Sequence, residues 1–522
     1  MKDLTTIRPW LLMLILAVFF AGIYGYTLDK KLDLNGDNAI YLTLAHHMAD
    51  GQGYSDYTAE GLKPTAKFPV GYPAILSVFM RLGIDDLVFF KCLNAFFMFV
   101  SIGLLYLIFN HLSKQNYLAF GIAALTLAST HLLHFAGMAM SEMSYLFCIV
   151  ASMGAMYLYA REDNKEQSER KPFYRNPWFY VAFAGATFAY YIRSVGTTIL
   201  FAVVVFYLFR KEWWQALCSV AGMAVLLAPW MLRNAHYGLK SRYLGTLLQV
   251  NPWRPEEGQI SSFKELFDKM ITNLDETVIK GFREVLFPFW QVPAEPSTWW
   301  GVIVGLLIVA VIIWGAWNMK KWRWMMIAFL IANIGILSVW QGGNGSRYVT
   351  PFIPMLYLCF YYGIFVTIKL LLKDRLKEHT LWGLVLLMML LPVRTPIQNL
   401  HAASQRPYPP AYKNYFQLAK QMNKSLPKGT VVICRKPELF CYFAPNIFAT
   451  YYKFDLDPKV VIADMVERKA EYVILEQLGY GSTPRYLYPA IRQYPQVFPI
   501  VQHIKNPDTY LLKFDKEKAE QL

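Results

Sequence analysis

The chain has 522 residues, 55% of them hydrophobic and only 17% charged, with a mean hydropathy of +0.28. That balance excludes a soluble globular protein of this size and describes a polytopic α-helical membrane protein. The formal net charge of +15 reads as membrane topology and attraction to anionic membrane lipids, not as nucleic-acid binding.

Apolar runs of about 17 to 25 residues qualify as spanning helices. Eleven are expected, at 9–28, 87–109, 116–135, 138–160, 178–193, 195–209, 212–230, 299–317, 323–341, 348–372 and 380–396. The stretch from Met1 to Tyr26 has a basic start and an apolar core but no small-residue cleavage site, so it reads as an anchoring first helix. With the N-terminus inside, the inner segments carry Lys2 and Arg8, Lys114, the run from Arg161 to Arg175, Arg210 and Lys211, then Lys320, Lys321 and Arg323, then Lys373, Arg375 and Lys377. This basic bias places the long segments 29–86, 231–298 and 397–522 outside. Asp37, Glu142, Arg193, Arg233 and Arg347 then all emerge at that exterior face. Charge so close to hydrocarbon is costly unless paired or solvated, so their convergence indicates a site.

In the first exterior loop, 29–86, Ile40, Leu44 and Met48 recur at helical spacing and imply an amphipathic helix along the membrane surface. Asp37 or Asn35 would cap it. His46 and His47 read as polar-face residues more than two turns beyond Asp37. Glu142, after Ser141 at the mouth of the fourth span, reads either as a charge favoured by the helix macrodipole or as an arginine partner, an acceptor-binding group or a metal-linked group. Arg193 sits between two apolar runs, where an unpaired position would be expensive. Arg233 reads either as a snorkelling helix-end residue or as a ligand-binding one. Arg347 follows the flexible turn Gln341-Gly342-Gly343-Asn344-Gly345-Ser346. The exterior segment 231–298 holds an amphipathic stretch from Phe263 to Phe287.

The order of these features resembles the GT-C superfamily of membrane glycosyltransferases, specifically its protein O-mannosyltransferase and aminoarabinose-transferase-like family. The motifs are Asp37 followed four residues later by Tyr41, the segment Lys67 to Pro73, Ser141-Glu142, Tyr191-Ile192-Arg193, Pro229 to Asn234, and Arg347-Tyr348-Val349-Thr350-Pro351. The resemblance covers residues 1–396 and implies a GT-C transmembrane catalytic domain. It implies inverting transfer of a sugar from a polyisoprenyl-phosphate carrier to an exterior lipid, glycan or protein acceptor. Asp37 would be the general base. Arg193, Arg233 and Arg347 would bind the donor phosphate, because guanidinium forks grip phosphate bidentately, with Lys67 as a point-charge helper. Tyr41, Glu142 and Tyr348 complete the candidate site. Asn38 stands where many relatives carry a second acidic residue, which weakens a metal site; a divalent metal on Asp37 and Glu142 is the sole cofactor considered.

Beyond residue 397 the composition becomes that of a soluble domain. Lys413 to Leu426 and Pro458 to Lys469 read as helices, and Thr430 to Cys434 and Tyr472 to Leu475 as strands, so 397–522 is expected to be an exterior α/β domain. Cys434 and Cys441 within it are compatible with a disulfide, whereas Cys92, Cys148, Cys218 and Cys359 read as small packing residues inside spans. The alternatives are a polysaccharide polymerase or ligase with a lipid-diphosphate donor, and a lipid-linked-sugar flippase or transporter. A transporter would show repeats and midplane charge instead of charge at one interface. A multi-pass protein of the bacterial inner membrane is implied, with its site facing the periplasm. The topology is checked by impermeant thiol labelling in intact cells: a cysteine placed in 161–175 stays unlabelled and one near residue 480 labels, and the reverse pattern would dissolve the common face.

Overall fold

Side-chain caps mark where the long helices begin. In the computed structural model, which describes residues 9–58, 61–161, 172–239, 242–251, 254–290, 292–293, 295–340, 345–372 and 393–522, Asp86, Asn176 and Thr298 accept first-turn backbone N–H groups that no helical carbonyl can reach. The helices run α1 (Pro9–Thr27), α2 (Gly36–Ala49), α3 (Gly71–Arg81), α4 (Leu87–Ser113), α5 (Asn116–Leu127), α6 (Thr130–Ala136), α7 (Glu142–Arg161), α8 (Pro177–Ile192) and α9 (Thr197–Phe209). Then follow α10 (Trp213–His236), α11 (Arg242–Leu247), α12 (Phe263–Leu274), α13 (Gly281–Leu286), α14 (Trp299–Trp317), α15 (Arg323–Val339), α16 (Gly345–Val349), α17 (Ile353–Leu372) and α18 (Arg394–Gln405).

Among the described residues six helices are long and apolar enough to cross a membrane: α1, α4, α7, α10, α14 and the stretch Ser346–Leu372 that includes α17. The expected span at 116–135 is broken into α5 and α6, bent by 55°. The expected spans at 178–193 and 195–209 are helices of 16 and 13 residues, about 24 and 20 Å of rise and short of a hydrocarbon core of about 30 Å. The stretch at 323–341 is likewise a shorter helix, α15. Most of the span expected at 380–396 lies outside the described residues. The eleven-span count is therefore not confirmed: among the described residues six helices qualify, or seven if the bent pair forms one span.

The loop after α1 differs from its expectation. Asn38 through Leu42, with Leu44, Ala45 and His47, is buried, so α2 is enclosed on several sides and does not lie on a membrane surface. It packs on α3 and on the hairpin of β1 (Ser55–Thr58) and β2 (Gly61–Pro64). In contrast, α12 leaves Phe263, Phe267 and Ile271 exposed along one face, as an interfacial amphipathic helix does.

After α18, helix α19 (Pro410–Ser425) leads into a five-stranded mixed sheet of order β4-β3-β5-β7-β6. Its strands are β3 (Val431–Ile433), β4 (Phe448–Thr450), β5 (Tyr472–Leu475), β6 (Ile500–Ile504) and β7 (Thr509–Lys513). Strand β3 is parallel to β4 and β5, and β7 is antiparallel to β5 and β6. Helix α20 (Pro437–Phe443) connects β3 to β4, and α21 (Pro458–Glu467) connects β4 to β5. The α/β reading of the C-terminal segment is observed. Cys434 and Cys441 are both free thiols, against the possible disulfide: Cys434 is buried at the end of β3 and Cys441 sits in α20, its thiol directed at the Ile447 carbonyl.

The membrane body packs through close helix crossings. A β-carbon on Gly315 of α14 would lie 1.8 Å from the Cys359 carbonyl oxygen of α17, and one on Gly363 would lie 2.4 Å from the Val311 carbonyl oxygen. Backbone thus meets backbone, and only small residues permit it. Replacing Gly363 by Val is expected to destabilise the body by about 1–3 kcal/mol, the usual range for overpacking. Thermal unfolding of the purified protein in detergent measures it, and an unchanged transition would refute the crossing.

Candidate active site

Asn35 accepts the backbone N–H of Asp37 at 3.2 Å and is the N-cap of α2. Asp37 is therefore not the cap, and its carboxylate is available to other partners. Arg347, in the first turn of the Ser346–Leu372 helix, donates from Nη2 to Asp37 Oδ2 at 2.5 Å. The two residues are 310 positions apart in the chain. Both side chains remain partly exposed, at 24% for Arg347 and 31% for Asp37.

Below this pair lies Glu142, the first residue of α7 and 0% exposed. Its Oε1 is 2.7 Å from Arg193 Nη1 and 3.9 Å from Arg347 Nε. Arg193 reaches it because α8 ends there in extended backbone (φ −147°, ψ 137°) before a 3-10 turn, Ser194–Gly196, starts α9. That break needs Gly196, since a β-carbon there would lie 2.4 Å from the Tyr190 nitrogen. Arg193 also donates to Ser141 Oγ at 3.0 Å, and Tyr41 shares the same hydroxyl at 3.1 Å. Tyr41 stands one turn beyond Asp37 on α2, packs on Phe68 and meets the edge of Tyr72; burial drives its phenol well above the ordinary tyrosine range. Two carboxylates and two guanidiniums thus meet in one chain of contacts, Asp37 to Arg347 to Glu142 to Arg193. Their formal charges cancel, and each carboxylate stands in the first turn of a helix, where the macrodipole favours it.

Other sequence candidates lie elsewhere. Arg233 donates to the Tyr54 and Thr65 carbonyls at 2.7 and 3.0 Å and to Asn234 Oδ1 at 2.9 Å, and it faces the Tyr54, Trp230 and Tyr237 rings. It is neither snorkelling nor joined to the Asp37 cluster: it clasps the hairpin at both ends. Lys67 Nζ is 3.9 Å from Asp56 Oδ2 of the same loop. Tyr348 packs edge-on against Trp340. His46 pairs with Asp85 at 3.4 Å, whereas His47 is buried with Nδ1 2.7 Å from the Ser55 carbonyl, a structural contact and not a polar-face position. The two carboxylates considered for a metal, Asp37 and Glu142, each face a guanidinium, and the amide Nδ2 of Asn38 donates to the Asp33 and Asn35 carbonyls. That donor set leaves little negative charge for a divalent cation.

Two participants escaped the sequence reading. Ser141 is the hydroxyl shared by Arg193 and Tyr41; its position directly before Glu142 was the available signal. Glu284 of α13 sits 3.4 Å from His131, whose hydrogen bond holds the Glu284 carboxyl below its ordinary value, and it also meets Ser346 beside Arg347. Nothing in the local pattern of 281–286 distinguishes that glutamate.

Comparison with known proteins bears on the fold that carries these residues. Residues 67–237 match the model of the dolichyl-phosphate-mannose-protein mannosyltransferase family. No curated protein matches. The fold is similar to ArnT from Cupriavidus metallidurans bound to undecaprenyl phosphate, with TM-score 0.57 and 13% identity over 97% of this chain and 98% of that one. It is also similar to the archaeal oligosaccharyltransferase AglB from Archaeoglobus fulgidus in complex with an inhibitory peptide and a dolichol-phosphate, with TM-score 0.59 and 13% identity over 89% of this chain and 69% of that one.

The ion-pair chain makes one prediction independent of any reaction. Arg193→Ala leaves the buried Glu142 without its nearest cation and is expected to cost about 3–5 kcal/mol, whereas joint replacement of Arg193 by Met and Glu142 by Leu is expected to restore most of it. Unfolding temperatures of the two variants decide this. Taken together, the family-model match over residues 67–237 and the likeness over nearly the whole length show that the chain has the fold of the membrane glycosyltransferases ArnT and AglB.

Proposed function

We propose that this chain is an inverting glycosyltransferase that moves a sugar from a polyisoprenyl-phosphate carrier to an acceptor on the exterior face of a bacterial inner membrane. The observation that carries the reading is the contact of Asp37 with Arg347 at 2.5 Å, which joins a partly exposed carboxylate to a guanidinium, the group whose fork suits phosphate. The dolichol-phosphate and undecaprenyl phosphate in the AglB and ArnT structures support a lipid monophosphate at this site. The acceptor class is left open among lipid, glycan and protein.

The proposed step is a single displacement. An acceptor hydroxyl gives its proton to Asp37 as its oxygen attacks the anomeric carbon. The bond from that carbon to the phosphate oxygen breaks, and its electron pair leaves on the polyisoprenyl phosphate. Backside attack inverts the anomeric centre. As Asp37 becomes neutral it releases Arg347, whose guanidinium then faces the phosphate charge with Arg193 behind it. Glu142 orients both arginines and takes no proton in this scheme. No step requires a metal; Asp37 and Glu142 would be the ligands if a divalent ion were bound.

Asp37→Asn tests the reading. Asn35 caps α2, so the change leaves the cap intact and keeps side-chain size. Loss of the general base is expected to lower transfer by about 10²- to 10⁴-fold while binding of a synthetic polyisoprenyl-monophosphate sugar persists. Sugar release and donor binding, measured on the same purified protein, separate the two effects. Transfer near the wild-type rate would remove Asp37 from the chemistry.

A further inference from the structure

The residue before Asp37 is pressed against the sheet domain. A β-carbon on Gly36 would lie 2.0 Å from Glu438 Oε1, 2.4 Å from its Cγ and 2.5 Å from its Cδ, so the side chain of Glu438 occupies the space that any larger residue at 36 would need. Glu438 cannot easily move aside. Its side chain is only 6% exposed, Tyr451 donates to Oε2 at 2.8 Å, and Lys436 Nζ stands 3.5 Å from Oε1. The turn that presents it is itself fixed: Lys436 adopts a left-handed backbone (φ 63°) just before Pro437, and Tyr415 of α19 donates to the Arg435 and Lys436 carbonyls. Two further contacts tie the same loop to the C-terminal segment. Tyr408 donates to the Leu32 carbonyl at 2.8 Å, and Tyr57 stacks on Phe448 of β4 at 4.8 Å.

Asp37 therefore sits between two restraints. Arg347 holds its carboxylate from the membrane body, and Glu438 blocks its backbone from the sheet domain. The Glu438 carboxylate abuts the first turn of α2, the end of a helix that favours negative charge, and Lys436 offsets its repulsion of Asp37. We infer that Glu438 is a positioning residue that acts through Gly36 to set the place of Asp37, which makes the sheet domain a working part of the active site. The inference rests on the reading of Asp37 as general base.

The test uses the full-length protein, with a synthetic polyisoprenyl-monophosphate sugar as donor. In Gly36→Ala the new methyl group must push α2 off the glutamate. A displacement of about 1 Å at a reacting group costs about 10²-fold, so kcat is expected to fall by that order while the donor KM holds. Adding Glu438→Ala removes the clash and is expected to regain at least about tenfold of that loss. A merely structural contact would lower stability and leave the kcat of the folded protein unchanged. Wild-type kcat in Gly36→Ala, or a double variant no faster than Gly36→Ala, would overturn the inference. Should Gly36→Ala fail to fold, Glu438→Ala alone carries the test, because it only removes atoms: a lower kcat at constant donor KM supports positioning, and an unchanged kcat overturns it. Asp37→Asn is run beside these variants. Full activity there removes the general-base reading, whereas an inactive Asp37→Asn with a fully active Gly36→Ala removes the positioning inference alone.

Discussion

A fully buried carboxylate at the edge of a membrane body needs a cation in contact, and Glu142 sets that requirement for everything around it. Arg193 meets it at 2.7 Å, but only because the chain abandons helix between α8 and α9. The extended conformation at Arg193 and the tight turn at Gly196 accompany that contact. Arg347 extends the same network outward, and through it the network reaches Asp37. Residues from four distant segments thus meet around one electrostatic constraint, a buried carboxylate that needs a cation in contact.

A balanced set of charges has a further consequence for a phosphate-bearing substrate. Two guanidiniums facing two carboxylates attract an anion weakly while all four are paired. In the proposed reaction this balance changes only when Asp37 accepts a proton. Arg347 then has charge to offer at the moment the phosphate acquires it, so stabilisation is strongest late in the displacement. Interactions stronger in the transition state than in the ground state are those that raise kcat.

Much of this was legible in the sequence because charge at the end of an apolar run is itself a signal. Asp37, Glu142, Arg193 and Arg347 stand out on that ground, and the resemblance to the family singles out Asp37 with Tyr41. The partners were not legible: nothing local to Asp37 indicates a residue 310 positions away. The hairpin contacts of Arg233 were not legible because a guanidinium at a helix end looks the same whether it faces phosphate or two loop carbonyls. The enclosure of α2 was missed for a related reason. Its apolar spacing fits a membrane surface as well as a protein one, and the covering elements, α3, the hairpin and α20, come later in the chain. In the sheet domain, β3 and β5 read as buried apolar runs. Strand β4 has three half-buried residues, and β6 is half exposed, so neither carries the alternation that reveals a strand.

The arrangement of the first loop argues for a preorganised site. Arg233 bonds the carbonyls at both ends of the hairpin, Tyr54 donates back to the Phe68 carbonyl at 2.9 Å, and Phe68 in turn packs on Tyr41. A clasp at the hairpin is thus transmitted through two residues to the helix that bears Asp37. The sheet domain braces the start of the same helix at Gly36. A loop held at so many points loses little further entropy when substrate arrives, and a carboxylate already fixed in place needs no reorganisation during the step. Arg233, though absent from the ion-pair cluster, thereby affects it through geometry: its bonds to backbone hold the hairpin, and the hairpin packs on the helix that carries Asp37.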